Sequence, residues 1–244
     1  MKPLLVIVVV TAGCAKAGPV DLVAVTDANG FGGHDGDNVD PIDAPINDAV
    51  LIDAGGVPVS LTLTQTQTTS IFAGDGNTVT CRHQDDGSSS DNVWYRAFLP
   101  SEQGITNAFN ITQVTFAVEY SSSAVPATVA VGSYSGTIGG ANLNLGMYSE
   151  LATQNITIPA TNNGELVPVP ITATIPAGSA LIAKVSTADF HTTALTEIGC
   201  TNSGETHPGY LTSVGCGVST PSTPGSIGAP GSQLIITVTG THIQ

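Results

Sequence analysis

Ser88, His83 and Asp85 are the residues whose types could support nucleophilic catalysis, in which a histidine base activates a hydroxyl and a carboxylate orients the base. Nothing else in their local sequence supports such a triad. The nucleophile-elbow pattern also fails, because Tyr134 occupies the serine position of the segment Gly132–Gly136. There is no Gly-Lys-Ser/Thr phosphate loop, and the five histidines and four cysteines show no zinc-binding spacing. We therefore expect a protein that is not an enzyme.

Carboxylate and amide side chains are concentrated in a few turns, where their oxygen atoms could hold a calcium ion. These residues are Asp75, Asn77, Asp85, Asp86, Asp91 and Asn92. The segment Gly32–Asp40 is a second candidate, but Val39 and the lack of a distal glutamate break the EF-hand pattern. Asp, Asn and Gly are also the residues that turns require. We expect no cofactor. A structural calcium ion bound by these turns is the one alternative to that expectation.

Composition limits the classes of ligand. Five basic residues in a chain of net charge −14 cannot build the basic face that binding to nucleic acid requires. Sugar binding needs exposed aromatic platforms, yet aromatic residues make up 5% of the chain and Trp94 is its single tryptophan. Four tyrosines lie in or beside predicted strands, where core or rim positions are expected: Tyr120, Tyr134, Tyr148 and Tyr210.

The N-terminus joins Lys2 to an apolar run, Leu4–Val10, which is followed by Thr11-Ala12-Gly13-Cys14. About ten apolar residues are too few to span a bilayer but are typical of a signal peptide. The segment 11–14 resembles a bacterial lipobox, and in that family the cysteine receives a diacylglyceryl group and becomes the mature N-terminus. Ala15 at the next position resembles Gram-negative lipoproteins that are exported to the outer membrane. We expect a signal peptide over 1–13 and a lipid anchor at Cys14, with an ordinary secretory signal as the alternative.

The stretch that follows the cysteine is acidic. Residues 15–57 contain eight aspartates and one basic residue, Lys16, and thus carry −7 of the net charge of −14. Glycine and proline interrupt this stretch, and Phe31 is its single aromatic residue. It has too little apolar surface to offset the entropy of ordering, and its like charges repel one another. We predict that residues 14–57 are a disordered acidic tether.

From residue 58 onward, apolar and polar residues alternate, which indicates strands with one buried face. Val59–Leu63, Val114–Tyr120 and Leu234–Val238 show this period most clearly. Glycine-rich turn signals separate about ten such segments, and no window predicts an amphipathic helix of useful length. This pattern predicts an all-β domain, an antiparallel sandwich or barrel. We favour one jelly-roll-like antiparallel β-sandwich over 58–244.

Several motifs in this domain, in the same order, resemble a recurrent β-sandwich domain of secreted bacterial proteins. They are Thr78–Cys81, Asp91–Phe98, Gly104–Thr106, Ile111–Tyr120, Tyr134–Gly136, Ile175–Leu181, Gly209–Leu211, Cys216-Gly217 and Ile236–Gly240. The resemblance implies an accessory module that is appended to exported enzymes or surface proteins and has no catalytic residues of its own. Within Trp94–Phe98, alternation places Arg96 on the apolar face, where it must pair or snorkel, and Glu119 is a candidate partner.

Three cysteines follow Cys14, and their odd number leaves one unpaired in a compartment that permits disulfides. Cys200–Cys216 is the local pairing. Cys81–Cys216 closes a longer loop and removes more unfolded-state entropy, about 4–5 kcal/mol against about 3 kcal/mol. In the resembled family, cysteines recur at positions like 81 and 216, and a small polar residue stands at the position of Cys200. The resemblance thus favours Cys81–Cys216 with a buried free thiol at Cys200, and the local pairing stays open.

Together these features predict an exported lipoprotein that reaches the outer membrane through the lipid on Cys14 and faces the surface or the periplasm. Its folded domain is expected to be a non-enzymatic module for adhesion, recognition or envelope architecture. A carbohydrate-binding or hydrolytic accessory protein of polymer degradation is the alternative. The ligand class that we expect is a protein or a glycan, and nucleic acid is excluded.

Overall fold

The structure is a computed structural model that describes residues 56–72 and 78–244. Several sequence-based expectations lie outside the described residues: the signal peptide (1–13), Cys14, the acidic tether up to residue 55, the motif Gly32–Asp40, and the turn residues Asp75 and Asn77.

Thirteen β-strands and no α-helix occur among the described residues. The strands are β1 (Pro58–Leu63), β2 (Asn92–Phe98), β3 (Phe109–Ser121), β4 (Val125–Tyr134), β5 (Tyr148–Ile158), β6 (Glu165–Ile175), β7 (Ala180–Thr187), β8 (Thr196–Ile198), β9 (Cys200–Thr201), β10 (Gly209–Ser213), β11 (Val218–Ser222), β12 (Gln233–Leu234) and β13 (Ile236–Ile243). Short 3₁₀ helices lie at Pro100–Gln103, Leu145–Met147, Val214–Cys216 and Pro224–Ile227.

The strands form two large antiparallel sheets. Sheet 1 has the order β1-β13-β3-β6, with β8 paired to the end of β3, and sheet 2 has the order β11-β10-β2-β7-β4-β5. With β8 to β12 set aside, the sheets reduce to β1-β13-β3-β6 and β2-β7-β4-β5, which is the eight-stranded arrangement of a jelly roll. The predicted jelly-roll-like sandwich is therefore confirmed. Strands β8 to β12 are an insertion before its last strand.

The core lies between the two sheets and is built from the alternating apolar residues. Val114 and Phe116 of β3 and Val238 of β13 are fully buried in sheet 1. They belong to the same cluster as Trp94 and Phe98 of β2 in sheet 2. The sequence pattern therefore identified the inward face of the strands at the centre of each sheet.

Sheet 2 is covered on its outer face as well. Tyr134 and Tyr210 are buried there with Leu143 in a second apolar cluster. The segment 135–147 covers them, since its backbone N–H groups at Gly139 and Asn144 donate to the hydroxyls of Tyr210 and Tyr134 at 3.1 and 3.2 Å. These two tyrosines are core residues, as their positions in strands indicated, and they offer no platform for stacking on a sugar.

The number and length of the strands differ from the expectation of about ten short ones. Strands β9 and β12 have two residues each, which is too short to show a period of two. Strand β3 has 13 residues and pairs along most of its length with the 11-residue β6 at the edge of sheet 1. Edge strand β6 carries Pro168 and Pro170, whose side chains are exposed. Proline is confined to such edges because it has no N–H to donate to a ladder.

Cys81 and Cys216 form a disulfide, with their Cα atoms 6.1 Å apart. This is the pairing that the family resemblance favoured over Cys200–Cys216. The bond joins the segment before β2 to the 3₁₀ helix that follows β10, so it holds the insertion against the sandwich. Cys200 is free and buried, and burial raises the pKa of its thiol to about 12.

Peptide mapping without reduction should find Cys81 cross-linked to Cys216, and Cys200 should react with an alkylating reagent only after denaturation. The Cys200 thiol is protected because it is inaccessible and protonated in the folded protein. Removing the bond in the double variant Cys81→Ala/Cys216→Ala should lower the free energy of unfolding by about 2–5 kcal/mol. A peptide that links residues 200 and 216 would contradict the pairing.

Candidate functional site: a histidine–aspartate cluster

Two loops meet beside the β2–β7 pair. The first loop (82–91) precedes β2 and the second loop (188–195) follows β7, and both lie at one end of the pair because Asn92 is opposite Thr187. Ser89 of the first loop is fully buried and joins them. Its N–H donates to the carbonyl of Ala194 at 2.9 Å, and its carbonyl accepts from the N–H of Phe190 at 2.9 Å.

Two histidines and three aspartates face one another across these loops. His83 Nε2 lies 2.7 Å from Asp189 Oδ1, and His191 Nε2 lies 3.1 Å from Asp85 Oδ2. Asp86 Oδ2 is 3.7 Å from His191 Nε2. The two imidazole rings contact edge to face with their centroids 4.4 Å apart. We call these five residues the His–Asp cluster.

The pairing is reciprocal. The first loop contributes His83-Gln84-Asp85 and the second Asp189-Phe190-His191, so each histidine of one loop bonds an aspartate of the other. This arrangement was not predicted from the sequence, because its two halves are separated by more than a hundred residues. The matching His-x-Asp and Asp-x-His tripeptides are the one signal in the sequence that could have indicated it.

Backbone N–H groups fix the carboxylates of the cluster. Asp189 accepts from the N–H of His191 at 2.9 Å, and Asp86 accepts from the N–H groups of Ser88 and Thr192 at 2.8 and 2.7 Å. Thr192 has a φ of 64°, the one positive value among the described residues other than glycine. The bond to Asp86 stabilises this uncommon conformation.

The hydrogen bonds shift the protonation of the cluster. The bond from His191 holds the pKa of Asp85 below its usual value, and the bond from His83 does so for Asp189. Bonds from the Ser88 hydroxyl and backbone lower the pKa of Asp86 to about 2. In return, the bond to Asp85 raises the pKa of His191. The cluster is therefore a set of ionised carboxylates beside imidazole donors.

This geometry does not assemble the triad of Ser88, His83 and Asp85. His83 is bonded to Asp189 rather than to Asp85, and the Ser88 hydroxyl donates to Asp86 at 2.6 Å. Among the described residues, the Ser88 hydroxyl is thus bonded to a carboxylate and not to a histidine base. The ligand atoms of His83, Asp85 and His191 do lie within 4.8 Å of one another, close enough for the three residues to hold a metal ion.

The other candidate calcium ligands have structural contacts. Asp91 accepts from the N–H groups of Val214 and Gly215 at 3.0 and 2.8 Å and so fixes the turn that contains Cys216. Asn92 is fully buried; its side chain accepts from the N–H of Cys81 at 2.8 Å and donates to the carbonyl of Cys81 at 3.1 Å. Both residues therefore position the ends of the disulfide.

Arg96 is fully buried, as its place on the apolar face of β2 indicated. Its Nη1 donates to Glu205 Oε2 at 2.6 Å, a partner in the insertion that sequence analysis did not name. Burial lowers the pKa of Arg96, and the Glu205 carboxylate opposes this shift. The ion pair joins the insertion to the central strand of sheet 2.

Arg96→Ala should lower the free energy of unfolding by about 3–5 kcal/mol, because it removes one member of a buried ion pair and leaves the other without its partner. Urea unfolding measures this change. Lys184→Ala is the matched control, because it leaves Glu150 with its side chain 42% exposed to solvent, and we expect a loss of less than about 1 kcal/mol. Equal effects of the two substitutions would contradict a core role for Arg96.

No protein-family model matches the chain, and no curated protein matches it significantly. Within the residues that the structure describes, no helix is long and apolar enough to cross a membrane. The described residues form a jelly-roll β-sandwich with a five-strand insertion and a His–Asp cluster between two loops.

Proposed function

We propose that this protein is a lipoprotein of the outer membrane whose β-sandwich is a non-enzymatic module for adhesion, recognition or envelope architecture. The observation that carries the proposal is the segment Thr11–Cys14, which follows the apolar run Leu4–Val10 and precedes the acidic residues 15–57. Acyl chains on Cys14 would bind the membrane with about 0.8 kcal/mol for each buried methylene. The acidic segment would then separate the folded domain from the lipid surface.

The loops beside the β2–β7 pair support a recognition role. Bonds through Ser89 and Asp86 tie the first loop to the second, so their shape is set before any ligand arrives. Binding to loops that are already ordered costs little conformational entropy. A depression of about 290 Å³ lies beside the cluster and is lined by both loops, including Ser88 and Thr193. It offers hydroxyl and backbone groups rather than aromatic rings, which favours a polar ligand.

Growth with a fatty-acid analogue should label the protein, and Cys14→Ser should abolish the label because the acylated thiol is gone. Gel fluorescence after coupling to a dye measures the label. Cys200→Ala serves as the control and should keep full labelling. A Cys14→Ser protein that is still labelled, or a wild-type protein without any label, would contradict the anchor.

The mature protein should bind a protein or glycan partner without turning it over. A glycan array and a panel of immobilised extracellular proteins measure binding, and chromogenic glycosides and esters measure hydrolysis. Multiple turnover by the purified protein would favour the hydrolytic alternative. Binding to one polysaccharide class alone would favour the carbohydrate-binding accessory protein instead.

A further inference from the structure

We propose that His83, His191 and Asp85 form a binding site for a divalent first-row transition-metal ion, with Zn²⁺ as the reference case. The site goes beyond the proposed function, because neither a lipid anchor nor a recognition surface requires a metal. It also differs from the calcium site that the sequence suggested at the acidic turns, because its ligands include two imidazoles.

The spacing of the donor atoms is close to that of a metal site. The ligand atoms of the three residues all lie within 4.8 Å of one another, and His191 Nε2 is 3.1 Å from Asp85 Oδ2. Tetrahedral zinc with bonds of about 2.0–2.1 Å places its ligand atoms about 3.3–3.5 Å apart. A pair of donor atoms at the 4.8 Å limit would have to close by about 1.5 Å. His191 and Asp85 are exposed enough to rotate by this amount, with side chains 48% and 69% exposed.

The donor set selects the kind of ion. Two imidazoles with a carboxylate suit zinc, copper, nickel or iron. Calcium prefers six to eight oxygen ligands, and nitrogen donors are foreign to its sites. His83 and His191 therefore discriminate against calcium and magnesium, although the surrounding turns are acidic.

Hydrogen bonds hold one of these ligands, His83, in place. His83 Nε2 donates to the ionised Asp189, which leaves the lone pair of a neutral ring on Nδ1. Metal-binding histidines commonly donate their other ring N–H to a carboxylate in this way. Asp189 is itself held by the N–H of His191 at 2.9 Å. The ring of His83 is thus oriented by a group that is anchored in the opposite loop.

A bound metal would link the two loops more firmly than the hydrogen bonds alone. The competing explanation is that the reciprocal His–Asp pairs are a latch that closes the loops without any ion. The two explanations differ in what added metal does, since a latch gains no stability from zinc.

The test uses the full chain after treatment with a chelator. Calorimetric titration with Zn²⁺ should show one specific equivalent per chain, and saturating Zn²⁺ should raise the Tm by about 5 °C. Equimolar Ca²⁺ should produce no comparable change. His191→Asn and His83→Asn should each weaken zinc binding at least about tenfold, since each removes a ligand.

Two control variants separate this site from other donors in the chain. His207→Asn removes a histidine that also pairs with a carboxylate, Glu102 at 2.9 Å, in another loop. His34→Asn removes the histidine of the acidic segment. Both should bind zinc as the wild type does. Unchanged zinc affinity in the double variant His83→Asn/His191→Asn, or an equal response to Ca²⁺, would overturn the proposal and leave the cluster as a latch.

Discussion

The antiparallel pairing of β2 with β7 is the constraint on which the arrangement of the rest depends. Its register runs from Asn92 opposite Thr187 to Phe98 opposite Leu181. A shift by one residue would move Trp94 and Arg96 from one face of the sheet to the other. The same register sets the first and second loops side by side. The inward position of Trp94 and Arg96 and the closeness of the two loops therefore follow from one set of backbone hydrogen bonds.

The insertion of β8 to β12 is held to this framework by contacts of different kinds. Arg96 supplies a buried charge for Glu205, the Cys81–Cys216 disulfide supplies a covalent bond, and Asp91 fixes the turn beside it. A buried ion pair adds little net stability over an apolar pair, but it penalises any arrangement that separates its charges. These contacts thus specify where the insertion packs as much as they stabilise it.

Local pattern predicted much of the fold and little of the cluster. Alternation identified the faces of β3 and β13 and the inward position of Arg96, because each strand carries its own period-2 signal. The pattern of Leu234–Val238 predicted one strand, but Leu234 ends β12 and Ile236 begins β13, so alternation did not reveal that the chain changes sheet there. The pairing of His83 with Asp189 depends on the register between strands about ninety residues apart, so the matching tripeptides alone do not show that the two loops meet. Likewise, the place of Arg96 on an apolar face indicated that it needs a partner. Which residue that partner is, Glu205, depends on how the insertion folds back onto sheet 2.

The prolines of β6 affect how the edge of sheet 1 can pair with another copy of the chain. Pro168 and Pro170 lie on the outer edge of sheet 1 and remove two N–H donors from a row that a neighbouring chain could otherwise extend. An edge with two missing donors cannot complete a ladder of hydrogen bonds with a strand of a neighbouring copy. The 11-residue strand is thus a poor template for the growth of an intermolecular sheet.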